Sequence, residues 1–237
     1  MYGTTEQRLA SFLFLDTLAL PPETFTVVRL QAPGILALSR DKGLFDGPFD
    51  PRLGKPLVKT ATLLLQERTD LLFAFVGRAE ISLLLEMTTH RDRRSPWALV
   101  AATASLASAR LSLQLGEPVA FEPGIYLLPG GELVEEYFAW QQETTRRAAL
   151  AEHCQQALLA KGVDRDAAHR NVQGATSEEL IAALTEHRVD VAQIPSWQKD
   201  GSGIYRRRDP AGGLPTLLVD PELPTGEGLR HLLRQFL

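Results

Sequence analysis

Two apolar runs, 70–76 (DLLFAFV) and 80–86 (EISLLLE), stand only Gly77, Arg78 and Ala79 apart. A three-residue link is hairpin spacing, so the two runs are predicted to pair as antiparallel strands. Everything else in the chain must be arranged around that pair. Before it come a β-branched run, Phe25 to Leu30 (FTVVRL), and a helical pattern from 51 to 68. In that pattern Leu53, Leu57, Val58, Ala61, Leu64 and Leu65 follow the 3.6-residue period. After it come a long helical stretch, 95–115, and a further strand, 119–128, ended by Pro129-Gly130-Gly131. The order is βαββαβ, the split βαβ or ferredoxin-like arrangement, in an α+β fold whose sheet is covered by helices.

The rest of the chain extends this plan. Thr5 to Leu18 has helical spacing and is stopped by Pro21-Pro22. The stretch from Gln31 to Arg52 is rich in turn residues, among them Pro33, Gly34, Gly43, Gly47 and Pro48. Helices are expected at 132–161, 167–171, 177–186 and 228–237, and late strands at 203–207 and 216–219. The division predicted is a palm-like part, 1–130, and a helical and C-terminal part, 131–237, packed on it as one structural unit.

Composition narrows the function classes. Apolar residues make up 44% of 237, enough for a real core. The net charge is −4, so any nucleic-acid surface must be a local patch. Aromatic residues are only 7%, which gives little support to a platform for stacking single-stranded bases. One cysteine, Cys154, excludes an internal disulfide framework and a Cys-rich zinc site. Its neighbour His153 does not share a helix face with it. Asp16 breaks the apolar stretch near the N-terminus, and Arg110 with several Ser and Thr interrupts the run 97–115. The expectations are a cytoplasmic protein, no membrane span, and a buried helix at 95–115.

The βαββαβ order is also the palm of nucleotidyl polymerases and cyclases. In such palms, carboxylates at the end of the first strand and in the central hairpin hold two metal ions that clamp a triphosphate. Four blocks here resemble one palm family in order and spacing. They are VVRLQAPGILALSRDKGLFDGPFDPR (27–52), DLLFAFVGRAEISLLL (70–85), Trp140-Gln141-Gln142, and Pro195, Trp197, Lys199 with Gly203-Ile204-Tyr205-Arg206. The chain resembles the tRNA(His) guanylyltransferase-like proteins, the 3′–5′ or reverse polymerases, which add a nucleotide to the 5′ end of tRNA.

The resemblance implies a chemistry that the residues contradict. The family's first-strand aspartate is matched here by Gln31, and its hairpin Asp-Glu pair by Ala79-Glu80. Glu80 is the one survivor of three carboxylates. Mg²⁺ demands near-octahedral hard oxygen ligands and loses its waters reluctantly, so a lone acid is a poor two-metal site. The family's Gly-Arg-Gly loop reads Ala32-Pro33-Gly34, where Pro33 has no N–H for a phosphate. The arginine of the Trp-Arg-Gln segment is Gln141, and Arg78 stands where the family has serine. An ion pair between Arg78 and Glu80, replacing the metal charge, is one expectation; an exposed turn arginine is the other.

The reading favoured by these residues is a catalytically degenerate member, a scaffold or subunit that binds RNA or protein and needs no cofactor. Its partners would be tRNA or another RNA, and a homo- or hetero-oligomer built through helices 95–115 and 132–161. The alternative is an active nucleotidyltransferase using Mg²⁺ and GTP or ATP through Glu80 and relocated carboxylates (Asp41, Asp46, Asp50 or Glu86). Phosphate contacts are expected from Gly34, Ser82, Arg94 and Lys199. RNA contacts are expected from Arg91, Arg93, Arg146, Arg147, Arg206 and Arg207.

Overall fold

A computed structural model describes residues 9, 18–35, 38, 43, 45, 49–87, 95–207 and 215–237. The expected 5–18 helix falls almost wholly outside them, as do Asp41, Asp46, Arg91, Arg93 and Arg94.

The hairpin is formed by β2 (Leu71–Val76) and β3 (Glu80–Leu85), with Val76 opposite Ile81. The first strand, β1 (Phe25–Gln31), lies on the other side of β3, placing Gln31 opposite Glu80 and Arg29 opposite Ser82. Outside β1 runs β4 (Glu122–Leu128). Outside β2 run β5 (Ser202–Arg207) and β6 (Thr216–Asp220). The sheet order is β4-β1-β3-β2-β5-β6, with antiparallel neighbours throughout. Its first four strands are the split βαβ, and residues from the C-terminal part complete the sheet.

β4 begins later than the sequence suggests. Val119 and Phe121 are buried, but their N–H groups donate to the hydroxyls of Ser112 and Ser108 at 2.8 and 2.9 Å. Those donors are satisfied by the preceding helix and do not enter a ladder.

Two helices cover one face. Helix α1 (Pro51–Glu67) starts at an N-cap, Asp50, whose carboxylate accepts from the Arg52 N–H at 2.7 Å, with Pro51 in the first turn. It buries Leu53, Leu57, Ala61, Leu64 and Leu65 against Val28, Leu30, Ala74, Ile81 and Leu83. Helix α2 (Pro96–Leu115) is capped by Ser95 and stopped by Gly116 at φ 69°. By length and apolar composition alone α2 would suffice to cross a membrane, yet here it lies on α1 and β4. It is not buried all round as expected. Leu99, Thr103, Ala104, Ala107 and Leu111 face inward, whereas Leu113 is 84% exposed.

The opposite face is covered by α3 (Gly131–Ala160), which packs Val134, Tyr137 and Phe138 on Phe25, Val27, Phe73, Phe75 and Leu84. Beyond the sheet, Leu150 and Cys154 of α3 form a small satellite core with α4 (Arg165–Val172) and α5 (Ser177–Glu186). A short helix, α6 (Ser196–Lys199), leads into β5. Helix α7 (Glu227–Leu233) returns to the α3 face and ends earlier than the predicted 228–237 span.

Candidate functional site

Strand alternation decides what meets at the end of the sheet. Phe25, Val27, Arg29 and Gln31 lie on the α3 side of β1, and Glu80, Ser82 and Leu84 on the α3 side of β3. Arg29 and Glu80 are therefore diagonal neighbours on one face, within reach of long side chains. Arg29 Nε and Nη2 donate to Glu80 Oε2 at 3.0 and 2.6 Å. Both side chains are nearly out of solvent. Burial alone would lower the Arg29 pKa, but the Glu80 charge and hydrogen bonds outweigh it and raise it. The Arg29 guanidinium also lies 5.2 Å from the ring centre of Trp140.

The other carboxylate oxygen is engaged too. With its amide turned so that donors meet acceptors, Gln141 donates to Glu80 Oε1 and accepts from Arg29 Nε at 3.1 Å and from the Tyr137 hydroxyl at 3.0 Å. Tyr137 in turn shares a hydrogen bond of 2.9 Å with the Ser82 hydroxyl. Burial pushes the Tyr137 phenol up to about 12, so it stays protonated at neutral pH. Gln31 Nε2 stands 3.5 Å from Glu80 Oε2, a long approach.

This donor set does not fit the two Mg²⁺ ions of a palm. Gln31 carries no charge, Ala79 has no ligating atom in its side chain, and the Ala79 carbonyl accepts from the Ala32 N–H at 3.0 Å. Glu80 is held by Arg29. Among the described residues no group of three His, Cys, Asp or Glu is placed to hold a metal ion. Of the relocated carboxylates, the two among the described residues, Asp50 and Glu86, do not fill the gap. Asp50 is buried at the α1 N-cap and paired with Arg52. Glu86 lies beyond the far end of β3 from Glu80, roughly 20 Å away at strand rise.

The remaining candidate residues disperse. Ser82 is fully buried with Tyr137 and is closed to a phosphate. Lys199 donates to the Val191 carbonyl at 3.0 Å. Arg146 pairs with Asp200. Arg206 turns inward, donating to the carbonyls of Leu71 at 2.7 Å and Leu65. These last three bond to groups of their own fold. Gly34, Arg147 and Arg207 are exposed. Cys154 is buried and its thiol is pushed up to about 11, as suits a core residue.

A cavity of about 330 Å³ opens beside the network, between the hairpin turn and α3. Arg78 projects into it with Arg29, Gln31, Glu80, Thr144 and Thr145. Arg78 does not pair with Glu80, as one expectation had it, nor is it a fully exposed turn residue. Its Nε is buried without a hydrogen-bond partner. Burial lowers its pKa, with the charge of Glu152 opposing. Sequence reasoning gave Arg29 no role. A charged residue in the middle of an apolar strand run was the signal, since such a group needs a counter-charge.

The fold is that of a polymerase-type palm. The family model for Thg1, tRNAHis guanylyltransferase, matches residues 8–129. The chain belongs to the tRNA(His) guanylyltransferase family. It is 23% identical over 216 residues to tRNA(His) guanylyltransferase 1 of Arabidopsis thaliana, spanning 87% of this chain but only 38% of that protein. It is 22% identical to the probable tRNA(His) guanylyltransferase of Drosophila melanogaster over 79% of this chain and 68% of that one. Among solved structures, the Saccharomyces cerevisiae enzyme superimposes with a TM-score of 0.73 at 20% identity, covering 86% of this chain and 93% of the other. A bacterial Thg1-like protein in complex with GTP gives 0.76 at 18% identity, covering 99% of both chains.

Proposed function

We propose that this chain is a family member that keeps the palm but no longer performs two-metal nucleotidyl transfer, and that it works by binding. The observation that carries the reading is the Arg29–Glu80 pair, closed by Gln141, at the one carboxylate left of three. A phosphoryl transfer through paired cations needs charge to hold both ions, and a neutral Gln31 with Ala79 supplies none. The family acts on tRNA, and a bacterial relative is known in complex with GTP. The ligand carried over to this chain is accordingly a phosphate-bearing one, a tRNA 5′ end or a nucleotide.

The test is incubation of the purified protein with GTP or ATP, Mg²⁺ and a tRNA with an activated 5′ end. The expected outcome is no nucleotide addition above a protein-free control. Robust addition overturns the reading.

A further inference from the structure

We infer that Arg78 makes the cavity at the hairpin turn a metal-independent phosphate site, in which a guanidinium supplies the charge that paired cations would. The inference rests on the binding reading above and names its ligand chemistry: a terminal phosphate or polyphosphate.

Arg78 occupies the middle of the Gly77-Arg78-Ala79 turn, directly before Glu80. Arginine keeps its charge in any protein setting, so withdrawing it from water calls for an anion. The nearby anion, Glu80, is already committed to Arg29 and Gln141. Glu152, whose charge favours the cation, makes no hydrogen bond to Arg78 among the described residues. Glu122 stands at the exposed rim of the cavity. What remains is a partly buried guanidinium that lines open volume beside Gln31, Thr144 and Thr145, its Nε–H buried and without a hydrogen bond.

The shape of the guanidinium selects the ligand. Its planar fork offers parallel N–H groups that match two oxygens of a phosphate. The amide of Gln31 and the threonine hydroxyls are further donors along the wall. Ala79 adds no side chain that would fill the space. A phosphate bound here needs no metal bridge, because its counter-charge is built into the turn. The same chemistry is presented by a free nucleoside triphosphate and by the 5′ phosphate of an RNA.

The experiment is calorimetric titration of the full chain, in EDTA and then in Mg²⁺, with three probes. They are tripolyphosphate, GTP, and an RNA oligonucleotide carrying either a 5′ phosphate or a 5′ hydroxyl. Binding in EDTA, changed less than twofold by Mg²⁺ and weakened at least tenfold by Arg78→Ser, is the expected result. Arg147→Ser, an exposed control, should leave it unchanged. Preference for GTP over the RNA pair, or for 5′-phosphate over 5′-hydroxyl RNA, identifies the source; either supports the site. Because Arg78 makes no hydrogen bond among the described residues, Arg78→Ser should melt no lower than the parent, and Arg78→Lys should retain intermediate affinity. Absence of binding in EDTA, binding that requires Mg²⁺, or unchanged affinity in Arg78→Ser overturns the proposal. Nucleotide addition would instead overturn the binding-only function while leaving these affinities to be judged on their own.

Discussion

Arg29 and Glu80 are worth more to each other than to the fold. Each is nearly removed from water, and deleting either strands the other as an uncompensated charge. Arg29→Met and Glu80→Met are each expected to lower unfolding free energy by about 3 kcal/mol in urea titrations. The double variant should cost clearly less than the two singles added, because no orphan charge remains. Additive losses would show that the pair is not coupled. Tyr137, one bond further along the network, gives a pH signature. Its phenol is raised to about 12 in the folded protein, against 10.0 for the free group. The native state thus holds its proton where the unfolded chain has released it. The contribution is fully present below pH 10 and is lost as pH rises toward 12. Tyr137→Phe should flatten the decline of stability over that window, measured by denaturation at stepped pH.

At the scale of elements, the contact that locates the hairpin turn is the approach of Gly77 to α3. A Cβ at Gly77 would lie 2.6 Å from Thr145 Oγ1 and 3.2 Å from a ring carbon of Phe75. Gly77→Ala is expected to cost about 1–3 kcal/mol through overpacking, and Thr145→Ala in the same chain should recover much of it. Equal stability of Gly77→Ala and the parent, by thermal melting, would refute the close fit. The hairpin itself, β1 and α1 were legible in the sequence, because a three-residue link and a clean 3.6 period are local signals. The partner of Glu80 was not. It depends on the β1–β3 register, which sets Arg29 diagonal to Glu80, and on α3 bringing Gln141 across. The exposure of α2 was also hidden, since a helix whose apolar residues are spread around its axis carries no mark of which stripe faces in. Ser82 looked available as a hydroxyl, and only the packing of Tyr137 reveals that it is spent.

Across the whole molecule, local and distant pairings are joined in one sheet. β1, β2, β3 and β4 assemble from neighbouring sequence, but β2 also takes β5, with Val76 opposite Ser202. Arg206 then fastens β5 to the end of α1 and the start of β2 through backbone carbonyls. A chain cut after Gly201 would keep the first four strands and expose the outer edge of β2, LLFAFV, a short apolar segment without a charge. Such a fragment is expected to aggregate in light scattering where the full chain stays clear; a monodisperse fragment would refute this.

That long-range pairing carries a cost during synthesis. While the nascent chain grows through α3, α4 and α5, the palm has already shaped its first strands, yet its most adhesive rim waits uncovered for partners still to be translated. A factor that recognises bare strand edges would find its target in this interval, before β5 is translated.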